Sequence, residues 1–172
     1  LTLTYLRYKV YEKGIKTLIL EGHWQHRRSI PMMRKIFEGI DLEFNVGAES
    51  FNIEYREKVM KKGMGKVTAK DVSKYFNRVN IMTGMEGQTL EMLEKDIEQS
   101  LQYFDVISLN IFVPNTTNVK RDEELIKEFY ASDLYKKCMA NKKIRVLDDL
   151  NRDKTDTFDM VGAKLEDIKE AK

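Results

Sequence analysis

A repeated cadence constrains this chain more than any other feature: a short apolar run, a polar loop, then a stretch with helical periodicity, four times over. The runs are Thr17-Leu18-Ile19-Leu20, Leu42–Val46, Val79–Met82 and Val106–Phe112. Strands read this way when helices cover one face of a sheet and a packed interior covers the other. Helical stretches come after each run. Ile30–Glu38 has Ser29 before it and Pro31 in its first turn, where a missing N–H costs little. Ile53–Lys62 has Asn52 as its cap and Gly63 as its stop. Ala69–Phe76 opens on Thr68 and Asp71, a capping-box spacing with Asp in place of Glu. Leu90–Phe104 sets Leu90, Leu93, Ile97, Leu101 and Phe104 on one stripe, and Asp122–Ala131 reads helical.

Strand–helix alternation of this kind predicts βαβ units and a parallel sheet. The expected fold is α/β: a partial parallel (β/α) barrel of about four βα units, half of a TIM-like barrel, with a helical C-terminal extension over residues 133–172. Within that charged tail, Ile144–Leu147 reads as a short extra strand and Lys164–Lys172 as a polar end. No Gly-, Pro- or Ser-rich linker interrupts the chain, so residues 1–172 are expected to form one domain. Four units cannot close a barrel that needs eight. A bare sheet edge is therefore expected to pair with missing sequence or with a second copy of the chain. The absence of an initiator Met likewise suggests a piece of something longer.

Composition narrows the function. Thirty basic residues against 28 acidic leave a net charge of +2, too little for a broad field toward nucleic acid or an anionic membrane. Cys138 is the single cysteine, so neither an internal disulfide nor a two-cysteine metal knuckle can form. No apolar run approaches the roughly 18 residues of a membrane span, and no signal-peptide pattern opens the chain. The cytoplasm is the expected compartment.

In parallel α/β sheets, ligands sit at the carboxyl ends of the strands, where the βα loops converge. Four loops occupy that position: Glu21–His26, Gly47–Asn52, Thr83–Thr89 and Val113–Asn118. Two of them read Gly47-Ala48-Glu49-Ser50-Phe51-Asn52 and Gly84-Met85-Glu86-Gly87-Gln88-Thr89, and the last strand carries Ile107-Ser108-Leu109-Asn110-Ile111-Phe112. In that order and spacing these segments resemble the radical S-adenosylmethionine superfamily. They look like the fourth, fifth and sixth strands of its core, above all in the oxygen-independent coproporphyrinogen oxidase and elongator-like branch. The resemblance runs from about Thr17 to Thr117.

The resemblance implies roles for individual residues. Glu21 ends the strand where the family places a carboxylate near bound S-adenosylmethionine. Glu49, with Ser50 beside it, matches the acidic or amide position that accepts from the cofactor. Lys61 matches a basic residue reaching the cofactor's carboxylate. Asn80 matches the polar contact to the ribose diol, and Asn110 with Phe112 the stretch along the adenine. His23, Trp24, Gln25 and Asn115 are left to face a small-molecule or peptide substrate. The family's Cys-x3-Cys-x2-Cys loop, which holds a [4Fe–4S] cluster, is absent, because one cysteine cannot supply three thiolates. The glycine-rich stretch after the family's second strand is absent too, and Glu86 stands where Pro is usual. The resemblance thus implies the C-terminal portion of an enzyme in which reductive cleavage of the cofactor yields a hydrogen-abstracting radical, the isolated chain being inactive in that chemistry.

Other readings compete. A cluster-free binding or partner-docking domain would keep the barrel shape without chemistry and pair its open edge. An ordinary barrel lyase or hydrolase would use Glu21, His23 and Glu49 as acid and base. Glu49 could simply satisfy backbone N–H groups at a helix start, Asn80 could tie neighbouring strands together, and Lys61 could be solvated at a helix end. Trp24 could be packing. His23 and His26 are too weakly spaced to specify a metal, and none is expected. Cys138 reads as a plain helix residue, and the methionines as core filling.

Overall fold

A computed structural model describes residues 2–114 and 118–147. Its centre is a single five-stranded sheet, all parallel, with strands in chain order: β1 (Thr17–Gly22), β2 (Asp41–Glu49), β3 (Arg78–Thr83), β4 (Val106–Ile111) and β5 (Ile144–Leu147). The sheet does not close on itself. It is the partial parallel barrel anticipated from the cadence, built from four βα crossovers. The tail contributes a strand as well as a helix: Ile144–Leu147 pairs with β4, Ile107 opposite Ile144. The remainder of the expected extension, from residue 148 on, lies outside the described residues.

The helices are α1 (Thr2–Glu12), α2 (Ile30–Ile36), α3 (Ile53–Lys58), α4 (Ala69–Ser73), α5 (Leu90–Tyr103), α6 (Glu123–Ala131) and α7 (Asp133–Ala140), with a 3₁₀ turn at Trp24–Ser29. Caps account for most of their starts. Side chains of Asn52, Thr68, Thr89, Asp122 and Ser132 each accept from a backbone N–H in the first turn, and Thr68 with Asp71 completes the capping box. Ser29 makes no such bond, because the preceding 3₁₀ turn already supplies carbonyl acceptors to α2. The helix expected to reach Lys62 stops at Lys58. Lys61 adopts a left-handed φ of 52°, and the chain then folds back toward the sheet.

Alternation along β2 separates the two faces. Leu42, Phe44, Val46 and Ala48 are buried against the helices, while Glu43, Asn45, Gly47 and Glu49 occupy the opposite, concave face. Register extends this division across the sheet. Val79, Ile81, Ile107 and Leu109 join the helical side, where they pack with Phe37, Phe76, Leu93, Phe104 and Phe129 in one continuous core. Glu21, Arg78, Asn80, Ser108, Asn110 and Arg145 fall on the concave side. A barrel interior filled only for stability would be aliphatic. This one is polar.

No described helix is long and apolar enough to cross a membrane.

Candidate functional site

The concave face is organised by side-chain bonds that cross three strands. Asn45 on β2 donates its amide to Asn80 Oδ1 on β3 at 2.8 Å, and Asn80 in turn donates to Glu21 Oε1 on β1 at 3.3 Å. Deeper on the same face, Arg78 is paired with Glu43. Two acceptors in this region are buried without a hydrogen-bond partner among the described residues: Asn45 Oδ1 and Glu49 Oε2. A buried, unanswered acceptor costs on the order of 1–3 kcal/mol. Such atoms are open to a donor, from ordered water or from a ligand.

Glu49 stands at the exit of β2 with φ at +64°, a left-handed conformation that costs a non-glycine residue about 1–2 kcal/mol. The strain coincides with a register shift between Gly47 and Glu49. Together they turn the carboxylate back over Gly47, whose Cβ, were there one, would lie 2.7 Å from Glu49 Oε1. A Cβ at position 47 would therefore push the end of the Glu49 side chain aside. Glu49 Oε1 is held by Lys62 Nζ at 3.0 Å.

The support for this corner lies behind it. Ser50 is fully buried and donates to Asp96 Oδ2 on α5 at 2.6 Å, while Phe51 N donates to Asp96 Oδ1 at 2.8 Å. Burial pushes the Asp96 carboxyl above its ordinary range, with the Ser50, Phe51 and Asn52 donors pulling the other way. Arg56, also fully buried, donates to the carbonyls of Gly65 at 2.7 Å and Val67 at 2.9 Å and pairs with Glu57 at 3.0 Å. It ties down the loop that carries Lys62.

The turn after β3 is held by side-chain bonds as well. Gln88 accepts from Gly84 N at 3.0 Å and donates to Met82 O at 2.7 Å, closing the turn after β3. Tyr55 Oη donates to Glu86 O at 3.0 Å, and burial pushes its phenol up to about 12.

Several expected site residues meet here: Glu21 with Asn80, and Glu49 with a lysine. The lysine is Lys62. Lys61 is exposed and outside the pair, since α3 ends a turn earlier than its periodicity suggests and rotates the next residue inward. Ser50 faces α5 and not the concave side. Phe112 is buried in a small cluster with Tyr55 and Met85. Trp24 is buried as well, edge-on to Tyr75 at 5.8 Å with the Arg27 guanidinium 4.2 Å from its ring centre, so it packs and does not offer a free stacking face. His23 accepts from Gln25 N through Nδ1 at 3.3 Å, capping the 3₁₀ turn, and Gln25 is exposed near Gly63. Asn110 lies on the concave face opposite Met82. Asn115 lies outside the described residues. Sequence reasoning passed over Asn45, Lys62, Arg78 and Asp96. The alternation Glu43-x-Asn45-x-Gly47-x-Glu49 would have flagged Asn45, for it marks β2 as polar on one face.

The unpartnered acceptors Asn45 Oδ1 and Glu49 Oε2, with the Lys62 ammonium beside them, form a donor and acceptor set of the kind that hydroxyl, ammonium and carboxylate groups would answer. A [4Fe–4S] cluster does not fit. Cys138 is the single cysteine, it is buried in α7, and burial pushes its thiol up to about 11. Among the described residues no group of three or more His, Cys, Asp or Glu could hold a metal ion.

An open sheet of parallel strands joined by helical crossovers, with a polar concave face, defines a partial (β/α) barrel. Comparison with known proteins supports that class. The chain is similar to a solved queuine lyase from Clostridium spiroforme bound to SAM and queuine, with 36% identity and a TM-score of 0.78. The match covers 85% of this chain and 62% of that one, so the chain spans less than two thirds of the structure it resembles. No protein-family model matches the sequence, and no curated protein matches it.

Proposed function

We propose that this chain is the C-terminal portion of a radical S-adenosylmethionine enzyme with queuine-lyase-like activity, contributing contacts to the cofactor and to a queuine-type base. The observation that supports it most is the 36% identity, over 85% of the chain, to a lyase holding both of those ligands. The concave polar face agrees with it. Lys62 and Glu49 would hold the amino-acid end of S-adenosylmethionine, and Asn80 with Asn45 its ribose hydroxyls, with Asn110 further along the face. Bound in an active site of this class, the cofactor supplies hydrogen abstraction. This chain's residues would bind and orient it. The coproporphyrinogen oxidase and elongator-like branch has narrower support, from the loops at Gly47–Phe51 and Gly84–Thr89 alone.

Since one cysteine cannot ligate a cluster, the chain on its own would do no radical chemistry. Titration calorimetry with S-adenosylmethionine and with queuine tests the binding half of the proposal: micromolar to submillimolar affinity for both is expected, and binding of neither would refute it. Anaerobic incubation with iron, sulfide, dithionite and S-adenosylmethionine tests the other half, with no 5′-deoxyadenosine expected.

One structural observation favours a second reading, that of a partner-docking domain without catalysis. β1 and β5 each have a strand neighbour on one side only among the described residues. A dimer whose mass by light scattering is independent of concentration, coupled with no S-adenosylmethionine binding, would favour it.

A further inference from the structure

Pairing divides the concave face into two unlike halves. Across β1, β2 and β3 the polar side chains answer one another: Glu43 with Arg78, Glu49 with Lys62, and Asn45 through Asn80 to Glu21. On β4 and β5 they do not. Ser108, Asn110 and Arg145 make no side-chain hydrogen bond or ion pair among the described residues. Register sets the three together. Ser108 is the Cα partner of Asn80 on one side and of Arg145 on the other, so the side chains of that row share a face. Asn110, two residues further along β4, points the same way.

Charge sharpens the contrast. Lys62 and Arg78 each have a carboxylate partner, whereas Arg145 has none among the described residues. The concave positions of β4 and β5 are Val106, Ser108, Asn110, Arg145 and Leu147, with no carboxylate among them. At the opposite edge, Glu21 is answered only by the neutral amide of Asn80, at 3.3 Å. The face is therefore dipolar, negative at β1 and positive at β5.

We infer that the β4–β5 half of the concave face is an oxyanion subsite, taking a phosphate or carboxylate group of a ligand that lies across the sheet. Arg145 presents a planar fork of N–H donors matched to two oxygens of such a group, and the Ser108 hydroxyl and Asn110 amide donate to the same group. Glu21 repels an anion from the β1 edge, which fixes the direction of the ligand. The inference goes beyond the proposed cofactor and base contacts and does not depend on them. A charged residue on an edge strand also discourages pairing with other chains. That role alone predicts neither saturable anion binding nor any part for Ser108.

The test is an NMR titration of the intact chain near neutral pH with inorganic phosphate and, separately, with acetate, chloride being exchanged for each anion so that ionic strength stays fixed. Expected is a saturable shift of the Arg145 Nε–H and of the Ser108 and Asn110 signals, half complete on the order of 1–10 mM. Saturation by phosphate alone assigns a phosphate-bearing ligand, by acetate alone a carboxylate-bearing one, and by both a subsite open to either oxyanion. Arg145→Gln should raise the half-saturating concentration about fivefold or more, Arg145→Lys about threefold through loss of the fork, and Ser108→Ala about twofold. Arg145 and Ser108 lie outside the buried core, so unchanged melting temperatures should accompany these losses. Shifts that climb linearly with both anions, or saturation that survives Arg145→Gln undiminished, overturn the subsite, whether or not S-adenosylmethionine and queuine bind.

Discussion

Ser50 and Asp96 are joined by a 2.6 Å hydrogen bond that crosses from the loop after β2 to the middle of α5, with no water reaching either residue. The same carboxylate takes the N–H of Phe51. Replacing Asp96 with Ala strands both donors in the core, and a loss of about 2–4 kcal/mol is expected in urea denaturation. Asp96→Asn, which keeps one acceptor, should lose less than half of that.

The pH dependence of this contact has a definite sign. Burial raises the Asp96 pKa in the folded state. Its contribution is therefore complete below the ordinary aspartate value of 3.8 and declines as pH rises through the folded value. Asp71 runs the opposite way: Lys74 and Thr68 hold it at about 2, so its contribution is present above 3.8 and declines as pH falls toward 2. Wild type should thus gain stability relative to Asp96→Asn as pH falls toward 3.8, and Asp71→Asn should close on wild type only below about pH 4. Melting curves across that range check both.

Lys62 and Lys61 are neighbours with different expected roles. Lys62→Met removes the cation paired with Glu49 and should weaken S-adenosylmethionine binding about tenfold, near 1.4 kcal/mol. Lys61→Met should change it less than twofold. Calorimetry on the two variants separates them.

The backbone at Glu49 yields a trade between stability and binding. Glu49→Gly relieves a left-handed φ of 64° and should leave the melting temperature unchanged or higher, even though the ion pair with Lys62 is lost. The same variant should bind S-adenosylmethionine at least tenfold more weakly. A clear fall in melting temperature would show that the residue is kept for folding.

Gly84 sits under α6 with φ of 87°, and a Cβ there would come within 2.3 Å of Ile126 Cγ1 and 2.5 Å of its Cδ1. Gly84→Ala should cost about 2–4 kcal/mol, through strain and a displaced helix. Pairing it with Ile126→Ala should give a double variant more stable than the sum of the two losses, measured by a thermodynamic cycle.

The strands were legible because apolar residues cluster in each at short spacing, and the starts of two helices because Asn52 and Thr68 are cap residues in cap positions. α1 was not: its sequence is rich in Tyr and charge, only Val10 is buried, and no amphipathic stripe announces it. The concave face was legible in part. Glu21, Glu49 and Asn80 stand at strand positions that a pattern can assign, whereas Lys62 depended on where α3 stops, which is decided by the tertiary hold of Arg56 on Gly65 and Val67. Asp96 and Arg56 are buried charges within helices α5 and α3. Nothing local distinguishes a solvated carboxylate from one that another loop will cover.

Arg56 also bears on how fast a ligand can arrive. Its guanidinium holds carbonyls of Ser50, Gly65 and Val67 at once, so the segment bearing Lys62 cannot swing away without leaving a buried cation stripped of its acceptors. The corner stands assembled before anything docks, no ordering step precedes capture, and association at that corner should proceed in a single exponential phase whose rate climbs linearly with ligand concentration.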